Sequence, residues 1–368
     1  SIVLNKHMKP VLEIIIPTFN RPKSAQKAIE SVLVCNDDRL VVRCNSNGYE
    51  STLEKYRDLD IRVKYDSFTS NKGVLSNSLK LLTDTNAKFC MLLSDEDNIN
   101  SKNYKSILTY LESLESDIKA VSCSIFDSDK NKYFWKPHPK LLESNSDNFV
   151  ALSPITTYMS GLIWRTDSLR AIDIKDLHNP TIGNAYTHLE ITLHLLLEGK
   201  LKFYHDRFVE KGEDQKFGGD GYSHKSEEST SHITDTKQLD LNPLVYGPGA
   251  RARQFYYREN ILNKLKSNIG FISLCMGKLH YIIFFYNRIM RSEETVIFPK
   301  NMTIKGEVLA AYNNSKDERE YSGSKTSLFF TLLFRLPNLV SATLILFLRI
   351  LIRIMRKVYT MKLTSNLS

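Results

Sequence analysis

Leu12-Glu13-Ile14-Ile15-Ile16-Pro17-Thr18-Phe19-Asn20-Arg21 is the stretch that decides the fold. Three successive isoleucines suit a buried, pleated surface, because β-branching restricts χ1 in a helix. Pro17 removes a backbone donor, so the run reads as a strand that stops and opens into a polar loop. Working outward, Ser24 to Val34 carries Ala25, Ala28, Ile29, Val32 and Leu33 at helical spacing. Leu40-Val41-Val42 and Ile61 to Tyr65 read as strands, Val74 to Leu82 as a helix, and Phe89 to Leu93 as a buried strand. Strands alternating with helices predict an α/β fold with a mostly parallel, Rossmann-like sheet and helices on both faces.

In such sheets ligands bind beyond the carboxyl ends of the strands. The residues there are Pro17 to Arg21, then Cys44-Asn45-Ser46-Asn47-Gly48, then Ser70-Asn71-Lys72-Gly73, then Ser94-Asp95-Glu96-Asp97-Asn98. Four polar loops on one edge suit a sugar nucleotide, which needs partners for base and ribose and a cation for its diphosphate. Asp95 and Asp97, one residue apart in an extended segment, point the same way. Hard cations such as Mn²⁺ or Mg²⁺ take such oxygen ligands and keep positions open for phosphate. A solvated turn is the competing reading of Asp-x-Asp; its place as the fourth of four ordered loops favours the metal.

Residues 11–100 resemble the family 2 glycosyltransferases of the GT-A fold. The resemblance rests on Ile14 to Arg21, on Asn71, Gly73 and Asn77, and on Asp95 and Asp97. It implies donor binding by Pro17, Thr18, Asn20, Arg21, Asn45, Ser46, Asn71, Gly73, Asn77 and Asp95, and metal ligation by Asp95 and Asp97. The family usually has an Asp after the second strand, where Asn45-Ser46-Asn47 stands here; Asn offers a pyrimidine edge both donor and acceptor. The family's general base is an Asp from a Glu-Asp pair at the start of a helix ending in glycine. Aligned on Gly199, that pair falls on Thr187 and His188. His188 is the substitute base, since an unperturbed imidazole titrates near working pH. Glu190 is the alternative, and Asp214 and Asp220 are others.

Trp135 and Trp164 read as sugar-stacking residues or as core, and Arg251, Arg253 and Gln254 as phosphate contacts or structural residues. His205, His224 and His232 lack a tight metal spacing, though His224 could reach the metal. Five scattered cysteines with no Cys-x-x-Cys pair argue against a disulfide framework or a zinc ribbon. With 42% hydrophobic and 25% charged residues the chain forms a sizeable core.

Residues 251–368 hold 19 Lys and Arg against 7 Asp and Glu, and no acidic residue follows Glu320. A basic tail rich in Leu, Ile and Phe points to an anionic membrane surface and not to nucleic acid. Leu336 to Leu348, the longest uncharged run there, is short for a span. Arg349, Arg353 and Arg356 recur at helical spacing, which predicts a helix lying in the interface or one packed on the protein. Ser1 to Pro10 has no apolar stretch of secretory type.

These readings give a GT-A domain over 9–250, with a nucleotide-sugar half (9–125) and an acceptor half (126–250). A helical, membrane-associating region follows over 251–368. The expected activity is inverting transfer from a nucleoside-diphosphate sugar to a glycan or lipid-linked glycan in cell-surface polysaccharide assembly, at the cytoplasmic face of the inner membrane. The rivals are an inactive glycan-binding scaffold and a nucleotidyltransferase. The latter should have a glycine in its first phosphate loop, and Pro17 to Pro22 has none.

Overall fold

The computed structural model describes residues 9–72, 74–136, 146–152, 158–172, 186–212, 247–291, 303–317 and 325–365. Gly73, Asp214, Asp220, His224 and His232 lie outside the described residues. Two compact units emerge, one of residues 1–137, 158–174 and 198–221, the other of residues 138–157, 175–197 and 222–368. The units interleave along the chain.

The first unit is built on a nine-stranded sheet. Its strands are β1 (Leu12–Thr18), β2 (Leu40–Ser46), β3 (Val63–Ser67), β4 (Phe89–Leu92), β5 (Asn98–Ile99), β6 (Ile118–Asp127), β7 (Lys132–Trp135), β8 (Leu162–Arg165) and β9 (Lys200–Lys211). The order is β3-β2-β1-β4-β8-β6-β9-β5, with β7 beside β6. Strands β3, β2, β1 and β4 are parallel, as expected; β8 runs antiparallel to both β4 and β6, while β6 and β9 run parallel. Helices α1 (Pro22–Leu33), α2 (Val74–Asp84), α3 (Tyr104–Glu112) and α5 (Thr166–Ala171) belong to this unit.

Strand β1 is buried along its whole length and runs past Pro17. Ile15 bonds toward β4, whose pairing ends at Leu92. Two residues on, Pro17 faces the same way, where the β4 ladder has stopped, so its missing N–H breaks no ladder bond. Glu13, in the same strand, is buried but accepts from Arg43 Nε (2.7 Å), Thr85 Oγ1 (2.8 Å) and the Asn86 N–H (2.7 Å). A buried carboxylate with its oxygens so occupied is tolerated, where a bare one would not be.

The second unit is helical: α4 (Ser146–Leu152), most of α6 (Thr187–Glu198), α7 (Pro248–Lys264), α8 (Phe271–Met290), α9 (Ile304–Asp317), α10 (Lys325–Arg335) and α11 (Asn338–Ser365). Its core is aromatic, with Phe255 stacked on Phe330 at 3.9 Å and Phe285 and Phe334 set edge-on around them. Helix α11 buries Ser341, Ile345, Leu348 and Ile352 on one side. Tyr286 of α8 donates to Ser341 Oγ (2.8 Å), and Arg349 donates to Asn287 Oδ1 (2.9 Å). On its other side Leu339, Leu346, Phe347, Ile350 and Ile354 are exposed. Asn338 to Val358 is long and apolar enough, by length and composition, to cross a membrane.

Candidate active site

Strand β1 delivers Thr18 to the carboxyl edge of the parallel strands, and Asn20 turns the chain with φ of 52°. Asn tolerates this left-handed conformation better than most residues, and Pro22 then opens α1 with its φ already suited to a helix. The turn aims Arg21 back across the sheet edge. Its Nη1 lies 3.1 Å from Asp95 Oδ1 and 2.9 Å from Glu96 Oε2. Thr18 Oγ1 donates to Asp95 Oδ2 at 2.7 Å. The first and fourth polar loops therefore meet.

The second and third loops are joined by asparagines. Asn45 Nδ2 donates to Asn77 Oδ1 (2.7 Å), while Asn77 Nδ2 donates to the carbonyls of Asn45 (3.0 Å) and Thr18 (3.3 Å). Asn47 donates to Asn71 Oδ1 (2.6 Å) and accepts from the Lys72 N–H (2.7 Å). Asn45, Ser46, Asn47 and Asn77 are all buried. Asn45 and Asn77 clasp β1, β2 and the start of α2 together, and so hold the loop ends in register.

Asp97 is buried beneath the same edge. Its Oδ1 accepts from Tyr158 Oη (2.7 Å) and the Gly212 N–H (2.9 Å), and its Oδ2 from Ser160 Oγ (2.6 Å). Ser160 Oγ also accepts from the Ser94 N–H at 2.9 Å, which ties the acidic loop to the segment leading into β8. A Cβ on Gly212 would collide with the Glu96 carbonyl, so only glycine brings this N–H onto Asp97. Burial pushes the carboxyls of Asp95 and Asp97 up to about 6, against the pull of Arg21 and Thr18 on the first and of Ser160, Tyr158 and Gly212 on the second. The sequence pattern does not mark Tyr158, Ser160 and Gly212 as the residues that hold Asp97. Its one signal is Tyr158 to Arg165, which reads as a strand entering the site; the strand is shorter, Leu162–Arg165, and Tyr158 and Ser160 lie in the turn before it.

The second unit holds the residues considered for the base. His188 and Glu190 begin α6, and both are buried. Glu190 Oε1 lies 3.2 Å from Nη2 of Arg258, which is fully buried and covered by the rings of Tyr186 and Phe285. Arg251 donates to Tyr186 Oη (3.0 Å), and Arg251 and Gln254 are buried on α7. Trp164 and Trp135 are buried in the first unit and act as core. Cys35, Cys44, Cys90 and Cys123 are buried free thiols, and burial pushes Cys35 up to about 11 and Cys90 to about 12.

Residues 13–170 match the family model described as glycosyl transferase family 2. The chain carries a family 2 glycosyltransferase domain. No curated protein sequence matches the chain. Among solved structures, S. aureus TarS 1–349 in complex with UDP-GlcNAc is 16% identical, with 85% of this chain and 89% of that chain covered and a TM-score of 0.46. Mannosyltransferase PcManGT from Pyrobaculum calidifontis, in complex with GDP-Man and Mn²⁺, is 10% identical, with 92% and 87% covered and a TM-score of 0.45.

The glycosyltransferase's acidic loop has the donor chemistry for a hard divalent ion. Asp95 and Glu96 share one guanidinium there, Asp97 has only neutral donors, and burial penalises the charge of Asp95 and Asp97. A carboxylate offers about four acceptor positions, so these bonds leave about two on Asp95 and about one on Asp97. Among the described residues no group of three or more His, Cys, Asp or Glu side chains converges on one metal position. An ion here would therefore complete its shell from phosphate and water.

Proposed function

We propose that this glycosyltransferase moves a sugar from a nucleoside-diphosphate sugar to a glycan or lipid-linked glycan, with inversion, aided by Mn²⁺ or Mg²⁺ on Asp95 and Asp97. The observation that carries the reading is that four polar loops meet at the carboxyl edge of the parallel strands: Thr18 and Arg21 of the first hold Asp95 of the fourth, Asn47 joins the second to Asn71 of the third, and Asn77 ties Asn45 to the Thr18 carbonyl. The ion, when bound, neutralises charge on the departing nucleoside diphosphate. The chain's own residues fix the reaction's geometry. Thr18 and Arg21 orient Asp95; Tyr158, Ser160 and Gly212 orient Asp97; the Asn45–Asn77 clasp holds the loops that receive the nucleotide. Such pre-set partners do not have to reorganise as charge develops.

An inverting transfer needs a base for the acceptor hydroxyl's proton. We assign that role to His188. Glu190 is already engaged by the buried Arg258 guanidinium, 3.2 Å away. Peripheral attachment at the cytoplasmic face of the inner membrane completes the reading, with α11 in the interface and Arg353 at lipid phosphates. Lying in the plane suits a helix whose other side is packed on α8 and whose middle carries arginines.

Calorimetry with UDP, CDP, TDP and GDP, with and without Mn²⁺, tests the donor site in wild type and Asp97→Ala. Metal-dependent binding of one nucleotide, lost in the variant, is the expected result. Binding of none in the wild type would sink the reading and favour an inactive scaffold.

A further inference from the structure

Phe134 stands exposed beside Tyr158, one of the residues that hold Asp97, and the sheet puts it there. In the β6–β7 hairpin Ile125 pairs with Trp135 and Phe126 with Tyr133, so Phe134 has no partner across the ladder. Such a bulge re-aims a side chain. Trp135 goes into the core at 8% exposure, while Phe134 is left 47% exposed. The Phe134 ring lies with its centroid 5.0 Å from that of Tyr158, whose hydroxyl donates to Asp97. On another flank, Lys211 Nζ is 5.7 Å from the Phe134 centroid, and the next residue, Gly212, donates its N–H to Asp97. Phe134 is thus tied through two neighbours to one carboxylate. Tyr133 is turned away, edge-on to Phe126 and beneath Lys136.

A phenyl ring exposed on a strand gains nothing from water. Near a site that handles sugars it has a natural complement. One face of a pyranose carries axial C–H bonds of slight positive charge, and the face of an aromatic ring is negative. We propose that Phe134, backed by Tyr158, is a stacking platform for the pyranose ring of one of the two reacting sugars. This rests on the transferase reading above. The aromatic chosen differs from those the sequence suggests: Trp135 and Trp164 have the larger rings, but both are buried.

Saturation-transfer NMR on the full chain, with the methyl glycosides of glucose, galactose, mannose and N-acetylglucosamine, tests the platform without needing the donor. Wild type should saturate the ring C–H protons of at least one glycoside. Phe134→Ala should weaken that binding about tenfold, which corresponds to about 1.4 kcal/mol, and Phe134→Tyr should retain it. Nucleoside diphosphate affinity with Mn²⁺ should be the same in Phe134→Ala and wild type, because that ligand has no sugar beyond its phosphates. If no glycoside binds the wild type, or Phe134→Ala binds as well as wild type, the platform is overturned. A glycoside effect without nucleotide binding would leave the platform standing and remove the transferase reading. The gain in affinity from nucleotide to nucleotide sugar assigns the source: lost in Phe134→Ala, the ring is the donor's; kept, it is the acceptor's.

Discussion

Asp97 shows how much of this site depends on single atoms. Three donors hold its two oxygens, yet burial still raises its carboxyl and that of Asp95 to about 6, above the ordinary 3.8. Because the folded value lies above the unfolded one, folding favours the protonated form. In the ion-free protein the two groups stabilise the fold most in acid, and that contribution is lost as pH rises through about 6. Urea denaturation of ion-free protein at pH 5 and 7.5 should show this loss, and Asp95→Asn/Asp97→Asn should abolish it. Cation binding runs the other way, because the ion needs the ionised carboxylates. Mn²⁺-dependent nucleotide affinity should be full above pH 7 and fall below pH 6, by up to about tenfold per unit for each proton displaced; a flat profile from pH 5 to 8 would contradict it. Gly212→Ala should fold but bind nucleotide at least about tenfold more weakly, because its Cβ pushes the N–H off Asp97.

At the scale of elements, α6 and α7 are linked by Glu190 and Arg258, a buried ion pair capped by aromatic rings. Arg258→Met takes that cation from a buried carboxylate and should cost about 3–5 kcal/mol in chemical denaturation. Arg258→Met combined with Glu190→Gln should recover part of the loss; equal losses in both proteins would argue against the pair. Helix α8 carries a second sensor of packing. His280 donates from Nδ1 to the Ala151 carbonyl at 2.6 Å, and burial pushes its imidazole down to about 4. Its folded value lies below the ordinary 6.5, so folding favours the neutral ring. The stability it contributes is present above pH 6.5 and lost as pH falls toward 4. Comparing wild type with His280→Gln by denaturation across that window should show the slope only in wild type.

For the molecule as a whole, charge and apolar surface coincide at the chain's end. No acidic residue follows Glu320, and the exposed side of α11 sets Leu346, Ile350 and Ile354 beside Arg349 and Arg353. Basic side chains near an anionic bilayer contribute about 1 kcal/mol each, and salt screens that part while sparing the apolar part. The protein should float with phosphatidylcholine–phosphatidylglycerol vesicles far better than with phosphatidylcholine alone, and less well at 0.5 M salt. Leu346→Asp with Ile350→Asp should lower binding at least about tenfold. Flotation that ignores lipid charge, or survives the double substitution, would rule out this surface.

The sequence by itself determined the parallel half of the sheet, because its strands are continuous apolar runs buried on both faces and its helices carry their own periodicity. It also identified Thr18, Arg21, Asp95 and the asparagines at the loops that meet, since parallel topology sends every strand's carboxyl end to one edge. Only the tertiary structure decided what grips Asp97. Tyr158, Ser160 and Gly212 come from 61, 63 and 115 residues away in sequence, and their pairing with it depends on β8 and β9 entering the sheet where they do. The same holds for Phe134 over Trp135. A bulge of one residue sets which aromatic faces water, and local sequence pattern carries no trace of register.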